Sequence, residues 1–265
     1  MDFISKEQEN IVLSESVYKL INGCAGSRKT DTLCKCTMYR IQKFKRNTLY
    51  LTHCGSVTNL IINRLQTYLN INFEKIGKSN HHIAFYDGVA IGVANYDAWV
   101  HMMLVRHDFD MDDYGDKYEE KINILEGKVD SEEITNCYMK GIKGTIKVQD
   151  LAIDEAQDFS SIQMKILVGL CQRQNSLNLY AAGDYLQTIY NKGVGKEYIH
   201  AMNIIKDLLP EFFNLSVCWR CPKAQVDFAN LLVGEDQKKY DIPAMKPSDN
   251  NMIDKPLLFT HLKCS

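Results

Sequence analysis

Two kinds of hydrophobic segment alternate along the chain. Short apolar runs of six to eight residues are typical of buried strands, and they occur at residues 16–22, 47–53, 88–95, 148–155, 177–184 and 212–217. Stretches with helical spacing stand between them, at residues 56–69, from the third run up to about Val105, and from Ser161 to Cys171. This alternation predicts an α/β fold in which helices cover both faces of a parallel sheet.

Composition and charge narrow the class of protein. The chain has 265 residues, of which 45% are hydrophobic and 24% charged, as in an ordinary globular domain. Its formal net charge is −2, so any contact with nucleic acid must use a local basic patch. Nine scattered cysteines in a chain of this size indicate reduced thiols, and we expect an intracellular location in the cytoplasm or nucleus.

One stretch interrupts the alternation of strands and helices. Residues 108–133 hold eleven acidic and three basic side chains. We interpret residues 108–147 as a small acidic inserted subdomain, either a solvated insertion or a surface for a partner. The main lobe would then comprise residues 1–107 and 148–232. Residues 233–265 have weak periodicity and are expected to form an irregular extension.

The first candidate site is the segment GCAGSRKT, which follows a predicted strand and opens a helix. This is the context of a phosphate-binding P-loop, in which backbone N–H groups face phosphate oxygens at the positive end of a helix. Lys29 would reach the β- and γ-phosphates of ATP, and the Thr30 hydroxyl would bind Mg²⁺. The nucleotide-contacting positions would be Gly23, Cys24, Ala25, Gly26, Ser27, Arg28, Lys29 and Thr30.

Arg28 departs from the P-loop pattern, because a glycine usually precedes the lysine. Glycine lets the backbone approach the phosphates without a Cβ atom. An arginine there either crowds the nucleotide or turns its side chain outward. A chance Lys-Thr pair after a turn is the plainer alternative for the segment.

Two further strands end in polar side chains. In LAIDEAQD, Asp154 would hold Mg²⁺ and Glu155 would orient or deprotonate the attacking water. In AAGDYLQTIY, Gln187 would contact the γ-phosphate or that water, whereas Asp184 alone would suit a helix N-cap. Because ligands of open parallel sheets bind at the carboxyl ends of the strands, these groups are expected to converge.

In this order the segments resemble the first RecA-like lobe of superfamily 1 DNA helicases of the UvrD/Rep type, from about Ser5 to Ala229. The resemblance implies a P-loop NTPase (RecA-like) fold, with ATP and Mg²⁺ as cofactors and hydrolysis coupled to translocation on single-stranded DNA, or on RNA. It also implies that Gln8 binds the adenine edge. In LSVCWRCP, Trp219 would stack on adenine and Arg220 would reach the γ-phosphate.

The same resemblance points to a nucleic-acid path. The segments LTHCGSVTNLIINRL and VANYDAWVHMML are similar to the family's DNA-contacting stretches, and NKGVG follows GDYLQTIY where the family often has a base-stacking tryptophan. Base stacking contributes roughly 1–3 kcal/mol per base, so the loss of such platforms would weaken the grip on a strand. The candidate residues are His53, Asn59, Asn95, Tyr96, Tyr190 and Lys192.

The length of the chain shapes the functional expectation. Only about 45 residues follow Arg220, which are too few for a second RecA-like lobe. We therefore expect that lobe to be absent and the isolated chain not to unwind a duplex. The alternative is a non-catalytic relative, a nucleotide-sensing or interaction module with a degenerate P-loop.

Two smaller features have plain interpretations. A single CxxC at Cys218 and Cys221 lacks a second pair, so a zinc site is disfavoured. The basic residues from Lys35 to Arg46 are expected to form a solvated helix end, with contact to nucleic acid as the alternative.

Overall fold

The structure is a computed structural model that describes residues 2–76, 80–105, 148–173, 176–187 and 200–248. The predicted acidic subdomain at 108–147 lies outside the described residues, as do the candidate residues Tyr190 and Lys192. The division into domains therefore stays a prediction.

Eight strands form the main sheet. They are β1 (Tyr18–Gly23), β2 (Thr48–Thr52), β3 (Glu74–Lys75), β4 (His81–Tyr86), β5 (Val89–Asn95), β6 (Asp150–Asp154), β7 (Asn178–Gly183) and β8 (Glu211–Leu215). Two further short strands, β9 (Val217–Cys218) and β10 (Lys246–Pro247), pair with each other in parallel. All six predicted strands are present.

Seven α-helices accompany the strands in the described residues. They are α1 (Lys6–Leu13), α2 (Lys29–Phe44), α3 (Gly55–Leu69), α4 (Tyr96–Val105), α5 (Ser161–Arg173), α6 (Ala201–Ile205) and α7 (Lys223–Lys239). Helix α7 continues to Lys239 and therefore runs past residue 232, after which an irregular extension was expected. Among the described helices, none is long and apolar enough to span a membrane.

The strand order is β3-β4-β5-β2-β6-β7-β1-β8, and every pairing from β5 to β8 is parallel. Strand β7 thus lies between β1, which leads into the GCAGSRKT loop, and β6, which leads into DEAQD. The predicted α/β architecture is confirmed.

The sheet is not wholly parallel, because β3 and β4 add an antiparallel edge. Strands β4 and β5 form a hairpin closed by Asp87 and Gly88, whose φ angles are 48° and 78°. Two residues with positive φ between paired strands are the pattern of a type I′ turn, for which Asp-Gly is a favoured sequence. This hairpin was not predicted from the sequence, although Asp87 and Gly88 form its Asp-Gly signal.

Side chains alternate between two hydrophobic cores, one on each face of the sheet. In β2, Leu49 and Leu51 face the core formed with α4, α5 and α6, while Tyr50 faces the core formed with α1, α2 and α3. Strand β6 repeats the pattern, with Leu151 and Ile153 on the first face. Burial on both faces explains why these strands read as continuous apolar runs.

The amino ends of the central strands are joined by buried charges. Asp150 accepts hydrogen bonds from Arg40 Nε at 2.9 Å, from Arg46 Nε at 2.6 Å and from Asn178 Nδ2 at 2.9 Å. Arg40 is buried, so the expectation of a wholly solvated basic helix end was wrong for this residue. The side chain turns inward because a buried carboxylate requires opposite charge and hydrogen-bond donors.

Candidate nucleotide-binding site

The carboxyl ends of the central strands place the candidate residues side by side. In the sheet register Asp154 pairs with Thr52, and Asn22 pairs with Gly183. Gly23, the last residue of β1, pairs with Leu215 of β8. Each of these strands is followed by a loop or a helix at this edge of the sheet. The P-loop, DEAQD and GDYLQ segments therefore lie on one surface.

The P-loop wraps around the side chain of its own lysine. Lys29 Nζ donates hydrogen bonds to the Gly23 carbonyl at 2.9 Å and to the Cys24 carbonyl at 3.4 Å. The lysine is 7% exposed, and Gly26 makes the bend with a φ of 75°. The ammonium group therefore lies inside the curve of the loop, and a bound phosphate would replace these carbonyls as its partner.

Arg28 occupies the conformation that glycine favours. Its φ is 66° and its ψ is 38°, in the left-handed region, and it forms the N-cap of α2. Its side chain is exposed and turned outward, which agrees with the second of the two geometries considered for this position. Holding a residue with a Cβ atom in this region costs roughly 1–2 kcal/mol.

Asp154 is a buried carboxylate that lacks a complete set of partners. Its Oδ1 accepts the Glu155 backbone N–H at 3.1 Å, while its Oδ2 has no hydrogen-bond partner among the described residues. Burial, and next the charge of Glu155, raise the pKa of Asp154 to about 6, and the Thr30 hydroxyl acts in the opposite direction. An unpaired buried oxygen of this kind is costly unless a cation binds it.

The residues at this point fit Mg²⁺. Carboxylate and hydroxyl oxygens are the ligands that Mg²⁺ takes from proteins, usually one or two of them together with phosphate and water. Asp154 and Thr30 provide such a pair beside the Lys29 ammonium, whose charge also acts on Asp154. The described residues contain no group of three His, Cys, Asp or Glu side chains that could hold a metal alone.

A hydrogen-bonded chain links Glu155 to the end of β7. Gln157 Nε2 donates to Glu155 Oε2 at 2.9 Å, and Gln157 Oε1 accepts the Asp184 backbone N–H at 3.0 Å. The Gln187 backbone N–H donates to the Asp184 carbonyl at 3.2 Å, and burial chiefly raises the pKa of the Asp184 carboxyl. Glu155 and Gln187 are therefore connected through two residues between them.

Gln157 and Asp184 did not enter the predicted site, although both belong to the quoted motifs. A Cβ atom on Gly183 would lie 2.8 Å from Gln157 Oε1, so the glycine permits the close approach of the two segments. The available signal was positional: both polar residues follow buried strands that end at the same edge.

The segment 217–221 packs directly on the P-loop. The Trp219 backbone N–H donates to the Gly26 carbonyl at 3.0 Å. A Cβ atom on Gly26 would lie 2.7 Å from the Arg220 Cβ atom, so only glycine fits there. Trp219 is half-buried and Arg220 is exposed, and both stand beside the loop as the sequence order suggested.

Gln8 lies apart from the loop and its side chain is already engaged. Its Nε2 donates to Asp31 Oδ2 and to Thr32 Oγ1, both at 3.1 Å, and its Oε1 accepts from Lys35 Nζ at 3.0 Å. It is 1% exposed, between α1 and α2. Adenine recognition by Gln8 stays a prediction, and it would require these bonds to be exchanged.

The candidate nucleic-acid residues separate into surface and core positions. Asn59 is exposed on α3, and His53 is half-buried with its ring 5.8 Å from that of Phe159. Asn95 Oδ1 accepts the Ala98 N–H at 3.0 Å and so caps α4.

Tyr96 does not belong to the surface. It is 1% exposed, and its ring packs against Trp99 and Phe159 at centroid distances of 6.0 and 5.7 Å. The placement of Tyr96 on the nucleic-acid path is corrected accordingly, because an aromatic side chain at the start of α4 completes the core beneath the site.

Comparison with known proteins supports the fold. No protein-family model matches the chain, and no curated protein sequence matches it. The solved structure of Pif1 helicase from Candida albicans is similar over 81% of this chain and 40% of its own, with a TM-score of 0.50 and 15% identity.

Phage terminases are also among the similar structures. The large terminase of a thermophilic bacteriophage matches 69% of this chain and 39% of its own, with a TM-score of 0.40 and 11% identity. The ATPase domain of the Thermus phage P74-26 large terminase matches 90% of this chain and 88% of its own, with a TM-score of 0.41 and 8% identity. The chain thus spans less than half the length of the first two proteins. By the similarity to Pif1 helicase, its fold is a RecA-like α/β fold.

Proposed function

We propose that the chain is the ATP-binding motor lobe of a UvrD-like helicase, which hydrolyses ATP with Mg²⁺ and couples this to movement on single-stranded nucleic acid. The observation that carries the proposal is that an ammonium group and a buried carboxylate, both suited to bind a ligand, lie close together at one edge of the sheet. Lys29 lies inside the loop on backbone carbonyls, and the nearby Asp154 carboxylate keeps a buried oxygen without a partner among the described residues. A nucleotide phosphate with its cation would complete both.

Each residue then has a defined task. The P-loop amides and Lys29 would hold the phosphates, while Thr30 and Asp154 would hold Mg²⁺, which neutralises phosphate charge when bound. Glu155 would accept the proton of the attacking water, and the Gln157 amide fixes its carboxylate at 2.9 Å. Arg220, exposed beside Gly26, would stabilise the charge of the transferring phosphate.

Support for the UvrD-like subtype and its strand partner comes from motifs and surface. DEAQD and the GDxxQxIY pattern follow the P-loop in the order of that family. Two of the residues carried over as strand contacts, His53 and Asn59, follow β2 and lie half-buried and exposed respectively. They follow β2 at the edge of the sheet where Asp154 lies, because β2 pairs with β6 and Thr52 is opposite Asp154.

Single-turnover ATP hydrolysis tests the proposal, measured with and without single-stranded DNA. The wild-type chain should hydrolyse Mg²⁺–ATP above background, and Glu155→Gln, which keeps the shape of the side chain, should abolish the activity. Asn59→Ala is the matched surface variant: it should keep the basal rate and lower any stimulation by DNA. Hydrolysis that Glu155→Gln leaves unchanged would refute the assignment of Glu155.

A second function is favoured by one observation, the left-handed Arg28 in place of the usual glycine. We infer as the alternative a non-catalytic, nucleotide-sensing module that binds Mg²⁺–ATP and does not turn it over. Binding without hydrolysis in the wild type, together with hydrolysis in Arg28→Gly, would select this alternative over the motor.

We also propose a reducing intracellular compartment, cytoplasm or nucleus. The support is the state of the cysteines: Cys24, Cys34, Cys36, Cys54, Cys171, Cys218 and Cys221 are all free in the described part of the chain.

A further inference from the structure

Three cysteines meet at the P-loop. Cys24 is the second residue of the loop, and Cys218 and Cys221 belong to the segment that packs on it. A Cβ atom on Gly26 would lie 3.2 Å from Cys218 Sγ, so this sulfur faces the loop. The pairing of β9 with β10 holds Cys218 in extended backbone at this place, and the Trp219 N–H bond to Gly26 fixes the next residue.

The three thiols differ in their readiness to ionise. Hydrogen bonding by the Cys24 thiol, and then by the Arg220 and Cys221 backbone N–H groups, lowers the pKa of Cys218. The pKa of Cys24 is raised, first by the same contact with Cys218, and the pKa of Cys221 is raised chiefly by burial. The lowered pKa favours Cys218 as the nucleophile among the three cysteines.

We propose that Cys218 and Cys24 are a redox-active pair, which a hydroperoxide converts to a disulfide that locks the P-loop and prevents nucleotide binding. The inference rests on the proposed function for its consequence, while the disulfide itself does not depend on it.

The reaction balances with one hydroperoxide for two thiols. The Cys218 thiolate attacks one oxygen of hydrogen peroxide, the O–O bond breaks, and the leaving hydroxide takes up a proton to become water. The resulting sulfenic acid is attacked by the Cys24 sulfur, which loses its proton, and the S–O bond breaks to release a second water. Two thiols are oxidised by two electrons, and the peroxide is reduced to two waters.

A small oxidant suits the burial of the reactive sulfur. Cys218 is 2% exposed, while Cys24 and Cys221 are half-buried. Hydrogen peroxide is close to water in size, whereas an aromatic disulfide reagent is much larger. Peroxide should therefore oxidise Cys218 faster, relative to the exposed Cys54, than the larger reagent does.

The disulfide would act through the backbone of the loop. A disulfide holds its sulfurs about 2.05 Å apart and restricts the distance between the Cα atoms. Cys24 would then be tied to β9, and its carbonyl, one of the partners of Lys29 Nζ, would be held with it. Phosphate binding requires Lys29 to leave these carbonyls and the loop amides to turn toward the phosphate, so the tied loop would not open.

Non-reducing peptide mapping by mass spectrometry tests the bond. After treatment of the full chain with hydrogen peroxide, the Cys24 and Cys218 peptides should be joined. Cys221→Ser should keep this bond and Cys24→Ser should lose it, while Cys54→Ser is the control for a surface thiol outside the cluster. A Cys218–Cys221 bond in the wild type, or no bond that involves Cys218, would overturn the proposal.

Calorimetric titration with Mg²⁺–ATP tests the consequence separately. Oxidised wild type should bind at least tenfold more weakly than the reduced protein, and dithiothreitol should restore the affinity. Cys218→Ser should have the same affinity before and after peroxide treatment, and an equal loss in this variant would contradict the lock. If reduced protein bound no nucleotide, the proposed function would fail, while the mapping would still decide whether the disulfide forms.

Discussion

Strand β6 carries an aspartate at each end, and the two differ in how they are paired. Asp150, at the amino end, is 1% exposed and both of its oxygens accept hydrogen bonds, from Arg40, Arg46 and Asn178. Asp154, at the carboxyl end, is fully buried, yet its Oδ2 has no partner among the described residues. Of two buried carboxylates on one strand, one thus has hydrogen-bond donors on both oxygens and the other has a donor on only one.

The difference separates a buried charge that the protein satisfies from one that it leaves partly unsatisfied. A buried carboxylate with two arginine partners joins a helix and neighbouring strands and needs nothing more. A buried carboxylate with a free oxygen destabilises the fold by itself, and a cation that binds there offsets this cost. The polar pairing within the protein therefore distinguishes the two ends of the sheet, and it supports the proposal that a cation binds at the carboxyl end.

The largest expected effect is on the free energy of unfolding when each of the two aspartates is replaced by asparagine. Asp150→Asn leaves Arg40 without its opposite charge and should lower the free energy of unfolding by about 3 kcal/mol. Asp154→Asn, the same substitution four residues later, removes an unpaired charge and should leave the stability within about 1 kcal/mol of wild type, or above it. Urea unfolding at pH 8 without metal measures both. Equal losses would show that the two carboxylates are not distinct.

The free energy of unfolding also depends on pH through His200, and this dependence must be known before the two aspartates are compared at other pH values. Burial, and next Lys206, lower the pKa of His200 from 6.5 to about 4, and its Nδ1 accepts the Met202 N–H at 3.2 Å as the cap of α6. Between these two pKa values the unfolded chain binds the proton and the folded chain does not. Stability from this group is therefore complete above pH 6.5 and is lost as the pH falls toward 4.

The loss from His200 should reach about 3 kcal/mol by pH 4, from about 1.4 kcal/mol for each unit of pKa difference. His200→Asn keeps an acceptor suited to a helix cap and removes the titration. Urea unfolding of both proteins from pH 7 to pH 4 should give a steeper decline for the wild type. Parallel declines would place the titration elsewhere.

The smallest expected effect concerns backbone conformation at the site. Arg28 and Leu209 are both exposed and have φ angles of 66° and 52°. Replacement by glycine should relieve roughly 1–2 kcal/mol of left-handed strain, against roughly 0.5–1 kcal/mol of added chain entropy in the unfolded state. Both variants should therefore gain less than about 1.5 kcal/mol in urea unfolding.

Nucleotide affinity should distinguish these two glycine variants. Arg28→Gly gives the loop its usual residue and should bind Mg²⁺–ATP at least as tightly as wild type, whereas Leu209→Gly should not change the affinity. A tighter complex with Leu209→Gly would mean that general stabilisation, and not the loop, controls binding.

The end of the sheet that carries the candidate nucleotide site was the more predictable from sequence. Lys29, Asp154 and Glu155 each follow a buried apolar run, and parallel strands bring such positions together whatever the details of packing. The amino end was not predictable, because Asp150 and Arg40 are far apart in the chain and an arginine near a helix end resembles a solvated one. Tyr96 was misplaced for a related reason: a motif position does not state which way a side chain faces.

The most direct test is a calorimetric titration of the reduced chain with ATP, with and without Mg²⁺, in wild type and Asp154→Asn. We expect Mg²⁺-dependent binding to the wild type and the loss of that dependence in the variant, at nearly unchanged stability. Two results would contradict the proposed Mg²⁺–ATP site: binding to Asp154→Asn that depends on Mg²⁺ as much as in the wild type, or no heat from either the wild type or Arg28→Gly.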